Sequence, residues 1–468
     1  MMSKKSNLVS EPQRKQSPFS TSISQLEEIA DLALATGKGL GCSDVSVIGS
    51  SSNDSLVRFS NNAITLVNNV QNLTLEIYLA KERKRIVGAT YNPGAESVKK
   101  FVENLLTSCA SIPPSEDYTP LPTGPFKYHL EGNFDPKIID NGGGGAKVVE
   151  LAGEAIDQAV KAGAKRVAGS LNSSSTDVVI RTSGGASAND RYSMILLNVR
   201  AFTEDNSSGH GLSCASYLSD FDAARAGYTA GEYARTSANP KQIEEGTYNV
   251  VFSPTVIANI LPIASQASAF AIESGNSILV DKLDERIATQ DFNLASHGSF
   301  PHGLGGRKFD DEGSPTEETA IVQNGTFRNM LHNSTTARKF KSKSTGNAGI
   351  IAPYPFSIAF GGGISSKDLI RETKQGIYVT NNWYTRYQNY RTGEYSTVPR
   401  DAAFRIEDGE LKEPLAGFRI SDSIPRQLEN IEMISKDRNW IKWWEVETPT
   451  LAPAMMISGV RVTRAVGS

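Results

Sequence analysis

Cysteine and histidine are scarce in this chain, three and five among 468 residues. Cys42, Cys109 and Cys214 lie far apart, are odd in number and form no C-x-x-C pair, which argues against a disulfide scaffold or a cysteine-built zinc module and fits a reducing, cytoplasmic setting. Five histidines leave few metal ligands or proton shuttles to place. Long apolar runs are missing too: no stretch approaches the ~20 residues that a membrane helix needs, so no membrane is expected. Neither sign of charge dominates. Forty-eight basic and 51 acidic side chains leave a net charge of -3, without the positive field that would make nucleic acid an expected partner. The opening MMSKKSNLVSEPQRKQSPFS has no apolar core for a secretory signal, and residues 1–22 read as a disordered tail. What remains, 39% hydrophobic and 21% charged, is the composition of a globular chain, long enough for two or three domains.

Periodicity predicts an α+β protein: N-terminal α/β units with antiparallel sheets and packed helices, followed by a mostly β C-terminal domain. Ser24-x-x-Glu27 has capping-box spacing, and Leu26, Ile29, Ala30 and Ala33 follow at helical intervals until Gly37, Gly39 and Gly41. Alternation at Val45/Val47, Leu56, Phe59, Ile64/Leu66 and Leu73/Leu75/Ile77/Leu79 predicts hairpin-linked strands. Val98, Phe101, Val102, Leu105 and Leu106 then mark a helix laid on that sheet, completing a unit over 23–110. Pro113, Pro114, Pro120, Pro122 and Pro125 make 111–125 a linker. A second α+β unit, 126–240, repeats the order of helix then strands without a residue-level repeat: a stripe from Val148 to Val160, strands at Val178–Thr182 and Tyr192–Glu204, a polar loop around Asn206–Gly211, and a helix near Phe221–Tyr233. The domain 246–468 opens with a strand at Tyr248–Phe252. Ser253-Pro254 then caps an apolar helix that Pro262 breaks or kinks.

Few short motifs carry chemistry. There is no G-x-S-x-G and no H-E-x-x-H, so a serine-hydrolase elbow and an ordinary zinc protease are unsupported. Ser97-x-x-Lys100 stands without its companion motifs, and the glycine runs Gly142–Gly145 and Gly361–Gly363 lack the lysine-hydroxyl pair of a phosphate loop. His297-x4-His302 reads as surface-loop histidines or as a candidate metal pair, although its spacing suits no helical ligand pair and a third and fourth ligand are not announced; His210 sits among glycines, in a turn or in a binding loop. Trp383, Tyr384, Tyr387, Tyr390 and Tyr395 interleave with Arg386 and Arg391, as in a single-strand stacking platform or an amphipathic hairpin. Arg338, Lys339, Lys341 and Lys343 precede a glycine-flanked polar loop that could hold an anion or face solvent.

The segment Phe309–Gly349, FDDEGSPTEETAIVQNGTFRNMLHNSTTARKFKSKSTGNAG, resembles the signature region of the TldD/TldE (PmbA) family, once described as modulators of DNA gyrase. F-D-x-E-G, an N-G turn, A-R-K and K-S-T-G-x-A-G occur in order, and the likeness extends over nearly all of 24–468. Family members of the TldD type carry H-E-x-x-x-H on the helix after the first strand of the third segment and a cysteine near the C-terminus, together holding a catalytic zinc. Here Pro262, Ile263 and Ala267 stand at the H, E and H positions, and Trp443-Trp444-Glu445 near the cysteine position. The resemblance therefore implies a TldE/PmbA-type subunit without a catalytic residue or cofactor of its own. Zinc is expected in a TldD-like partner, and the pair would carry out proteolysis of unfolded or extended peptides. Arg338, Lys339, Ser344, Thr345 and Asn347 are the family-matching candidates for binding peptide or partner. The alternatives are a non-enzymatic homodimeric peptide- or protein-binding protein, and a stand-alone hydrolase that uses His297 and His302.

Overall fold

A computed structural model describes residues 23–129, 133–139, 145–204, 207–361 and 363–464. The expected tail, 1–22, and Gly142–Gly144 of the first glycine run lie outside the described residues, as does Gly362 of the second.

The apolar stripes fold as their spacing requires. Helix α1 (Ile23–Gly39) leads into β1 (Asp44–Ser60), β2 (Ala63–Lys81) and β3 (Lys84–Tyr91), and α2 (Ala95–Ala110) closes the unit. The same order returns in α3 (Gly145–Lys161), β4 (Arg166–Thr182), β5 (Ser187–Phe202), β6 (Ser208–Ala215) and α4 (Ala223–Thr236). The echo of element order in the sequence has a simple structural meaning. Strands β1 and β4 pair antiparallel from Ser46↔Thr182 to Phe59↔Gly169, which joins the two meanders into one six-stranded sheet, β3-β2-β1-β4-β5-β6.

Residues of one parity on a strand share a face. Val45 and Val47 of β1 pack with α1 and α2, while Val57 and Phe59, of the same parity, pack with α3 and α4, so the helices cover one face of the sheet. Ile48, Val178 and Ile180 point the other way and meet Phe309 of the C-terminal segment. Arg181, on the helix face, ties α1 down through Glu27 at 3.1 Å and Asp31 at 2.9 Å.

One sequence expectation fails here. Ser208–Ala215, which includes most of the stretch read as a polar loop around Asn206–Gly211, is strand β6, and His210 is buried within it rather than placed in a turn. Its glycines answer to packing: a Cβ at Gly209 would lie 2.1 Å from the Ala230 carbonyl oxygen of α4, and one at Gly211 1.9 Å from that of Ala226. The linker 111–125 is strapped onto the sheet, with Leu121 buried and its N–H donated to Asp44 Oδ1 at 3.1 Å.

The C-terminal half is built around a large sheet. After β7 (Lys241–Gln242) and β8 (Gly246–Phe252), Ser253 caps α5 (Pro254–Ile260), its side chain accepting from the Val256 N–H. The chain breaks at Leu261-Pro262 and resumes as α6 (Ile263–Gln266) and α7 (Ala269–Glu273). Strands β9 (Leu294–His297), β10 (Glu318–Gln323) and β11 (Thr326–Phe327) precede α8 (Ser334–Lys339) and β12 (Ile358–Phe360). There follow α9 (Ser366–Glu372), β13 (Gln375–Val379), the aromatic hairpin β14 (Asn382–Asn389) and β15 (Glu394–Pro399), then β16 (Ala403–Glu407), β17 (Glu410–Ala416) and β18 (Phe418–Ser423). Helix α10 (Ile424–Glu429), β19 (Ile431–Trp443) and the long β20 (Val446–Arg464) complete the fold. Strand β20 is the hub: it pairs with β8, β12, β18 and β19. Helix α5 packs on it, and Val256, Ile257 and Ile260 are fully buried, as a helix apolar on nearly every side must be. Among the described residues no helix is long and apolar enough to cross a membrane.

Candidate functional site

The signature segment forms the joint between the two halves. Phe309 and Gly313 press on the open face of the six-stranded sheet, where a Cβ at Gly313, whose φ is +85°, would sit 2.4 Å from Ala186. Asp310 is fully buried and accepts the N–H groups of Glu312 and Ser314 on one oxygen and that of Ala348 on the other, at 2.9–3.1 Å. The Ser46 hydroxyl of β1 donates to the Asp311 carbonyl oxygen at 3.0 Å, and Glu312 accepts from the Ser334 N–H and hydroxyl at the start of α8. Burial raises all three carboxyls: Asp310 well above the usual range, Asp311 to about 6 and Glu312 to about 7. The F-D-D-E-G run is thus a buried polar interlock.

The five candidate binding residues do not stay together. Arg338 is exposed, and Lys339 lies on the wall of a pocket of about 260 Å³ between β3, α7 and α8. The Lys339 ammonium bridges Asp117 of the linker and Glu273 of α7, each at 2.6 Å, with Phe270 and Ile351 as apolar wall. Ser344 and Thr345 are half-buried and bond to the His332 carbonyl oxygen, each at 3.3 Å. Asn347 is fully buried, donating to Ser296 Oγ at 3.0 Å and to the Tyr354 carbonyl oxygen at 3.3 Å. Its family-matching position belongs to the interior of the joint, and only Arg338 and Lys339 present charge to a surface.

A larger cleft, about 870 Å³, opens between β6 and α4 on one side and α5, α9 and β19 on the other. Arg225, Lys367 and Arg438 line it together with Asp220, Asp222 and Asp437, so it offers donors and acceptors of both signs. His302 stands at its margin, Nδ1 2.6 Å from Asp220 Oδ2 and its ring stacked on Tyr217 at 4.0 Å. His297 turns elsewhere, toward Glu318 at 3.5 Å and edge-on to Phe300, and burial lowers its pKa. The two candidate metal histidines therefore take different carboxylates. Among the described residues no group of three or more His, Cys, Asp or Glu side chains is placed to hold a metal ion. The cleft is drawn from five stretches widely separated in the chain, and no local motif could have announced it.

Two family models match this chain: the PmbA/TldA metallopeptidase central domain over residues 145–238 and the C-terminal domain over 245–464. The chain belongs to the PmbA/TldD metallopeptidase family. A metalloprotease of Methanothermobacter thermautotrophicus is 27% identical over 226 residues, 46% of this chain and 49% of that protein. The metalloprotease PmbA of Escherichia coli O157:H7 is 28% identical over 225 residues, 47% and 48% of the two chains. This chain thus spans about half the length of the curated relatives it matches. TldE from Thermococcus kodakarensis shares the fold with a TM-score of 0.83 at 19% identity, covering 93% of this chain and 100% of that one.

At the positions that the PmbA/TldD resemblance gives to zinc ligands, Pro262, Ile263 and Ala267 carry no metal-binding donor. Ile263 and Ala267 are both fully buried, in one apolar cluster with Ile260, Leu261, Leu331 and Trp443. Proline, isoleucine and alanine side chains have no lone pair to offer a cation, and the Trp443 indole nitrogen is a donor only. These residues do not fit zinc. His210 packs against Trp443 at 5.0 Å, and burial lowers its pKa to about 4, so a neutral ring fills this part of the core.

Proposed function

We propose that this chain is the non-catalytic, TldE/PmbA-type member of a two-subunit zinc metalloprotease, holding unfolded or extended peptides for a TldD-like partner that carries the metal. One observation carries the reading: where the family resemblance expects H, E and H, this chain has Pro262, Ile263 and Ala267, the last two sealed in a hydrophobic core with Trp443. A core of that kind stabilises by removing apolar surface from water and leaves no room for a hydrated cation. The cleft, lined by Arg225 and Arg438 as well as Asp222 and Asp437, supports the peptide-holding part of the proposal, because an extended peptide presents both N–H and C=O groups along its length. The test is to purify the chain alone and co-expressed with a TldD-like subunit, and to follow cleavage of an unfolded protein. Cleavage is expected only for the pair, with loss on chelation. Arg438→Glu should raise KM of the pair several-fold with little change in kcat.

A second reading draws on the His302–Asp220 contact, which has the geometry of an oriented general base at the margin of the cleft. Chelator-resistant hydrolysis by the isolated chain, lost in His302→Gln, would replace the first reading with this one.

A further inference from the structure

The pocket beside Lys339 is walled by charged side chains whose signs cancel: Arg85 of β3 and Lys339 of α8 against Asp117 of the linker and Glu273 of α7. They are not evenly mixed. Lys339 Nζ holds both carboxylates, each at 2.6 Å, so these groups form a cluster with one negative charge in excess. The Lys339 hydrogen bond and, beyond it, the charge of Arg85 keep the Asp117 carboxyl below its usual range, and the bond to Asp117 raises Lys339, so both stay ionised at neutral pH. Arg85 is the second pole. Its Nη2 donates to the Ser115 hydroxyl at 3.1 Å, a neutral partner that does not compensate its charge.

Apolar surface completes the pocket. Phe270 and Ile351 line it and are 46% and 68% exposed, apolar area that a ligand would take out of water. The volume, about 260 Å³, is that of roughly nine waters at ~30 Å³ each and admits a ligand of about as many non-hydrogen atoms.

We propose that this pocket binds a free apolar α-amino acid of the size of leucine, with its ammonium on Asp117 and Glu273, its carboxylate on Arg85 and its side chain on Phe270 and Ile351. A ligand with a single charge satisfies one pole and leaves the other desolvated without a partner. A zwitterion satisfies both. The guanidinium takes a carboxylate through two parallel N–H donors, which fixes orientation as well as affinity. Arg85 and Asp117 belong to the N-terminal unit and its linker, Glu273 and Lys339 to the C-terminal half, so the bound amino acid bridges the two. The inference is independent of the peptidase reading, because neither a metal nor a peptide substrate enters it.

Calorimetric titration of the full chain with L-leucine should show saturable binding, with a melting temperature that rises with ligand. Leucinamide lacks the carboxylate, isocaproate lacks the ammonium and glycine lacks the side chain. Each should bind about tenfold more weakly or worse, as the loss of a charge-assisted hydrogen bond or of the apolar contact requires, and this series needs no variant to fold. Arg85→Met and Ile351→Asp should each weaken L-leucine to a similar degree, the second at a residue outside the core. Absence of saturable binding at millimolar L-leucine would overturn the proposal. So would leucinamide binding as tightly as L-leucine, which would make the pocket a site for a peptide N-terminus, or isocaproate doing so. Unchanged affinity in Ile351→Asp would put the ligand elsewhere and overturn it too.

Discussion

Asp310, Asp311 and Glu312 stand side by side in the joint, and burial pushes their protons on rather than off: Asp311 titrates at about 6 instead of 3.8, and Glu312 at about 7 instead of 4.5. The folded chain therefore holds protons that the unfolded chain releases, and this contribution to stability is lost as pH rises through the folded values. His210 and His332 act in the opposite sense. Burial lowers both from 6.5 to about 4, so what they contribute is lost as pH falls through that window. The two groups offset one another in mild acid. At pH 6.5 an unfolded histidine is still half protonated, so the histidines and the carboxyls titrate together in that range. Between pH 6.5 and pH 7.5 the carboxyls offset the histidines, and Glu312→Gln, which keeps an oxygen for the Ser334 N–H, should make the urea midpoint rise more steeply with pH than in the unaltered chain. Identical slopes in the two proteins would show that Glu312 carries no proton of consequence.

At the scale of elements, α3 and α4 approach through small residues. A Cβ at Gly227 would lie 2.1 Å from the Ala155 carbonyl oxygen, and one at Gly231 2.2 Å from that of Ala159, whereas Gly153 of α3 faces open space. Alanine is the better helix former at all three positions by ~1 kcal/mol. Contact decides the sign: Gly227→Ala should destabilise by about 1–3 kcal/mol through overpacking, and Gly153→Ala should stabilise by about 0.5–1 kcal/mol, both read from urea denaturation. This contrast also marks how far the sequence could be read. The stripes of α1, α2 and α3, the Ser253-Pro254 cap, the break at Pro262 and the aromatic hairpin at Trp383–Tyr395 were legible because each depends on neighbours within a turn or two. Strand β6 was not, because Gly209 and Gly211 look like turn residues until α4 is laid against them. The candidate site divides in the same way. Arg338 and Lys339 reach a surface, but the burial of Asn347 follows from Ser296 and Tyr354, and the large cleft from residues between His210 and Ala454, distances over which no local pattern speaks.

Over the whole molecule, the contacts that hold the six-stranded sheet to the C-terminal half include the F-D-D-E-G joint and an ion pair on β5. There Arg200 of β5 reaches Asp401 through Nε at 2.9 Å and Nη2 at 2.5 Å, and Asn381 donates to the other carboxylate oxygen at 2.9 Å. The guanidinium also lies 4.6 Å from the ring of Trp383, which Arg400 covers at 5.0 Å. The Asp401 side chain has no exposure to water. Removing only its cation leaves a buried carboxylate with a single amide partner, and an uncompensated buried charge costs about 3 kcal/mol or more. Replacing both charges by groups of similar shape costs far less, because the desolvation penalty of the ion pair disappears with it. Arg200→Met should therefore lower the unfolding free energy by about 3 kcal/mol, while Asp401→Asn added to it should recover most of that loss. Strictly additive losses in this cycle would mean that the two side chains do not act on each other. An unchanged midpoint in Arg200→Met would show that this pair adds nothing to the hold between the two sheets.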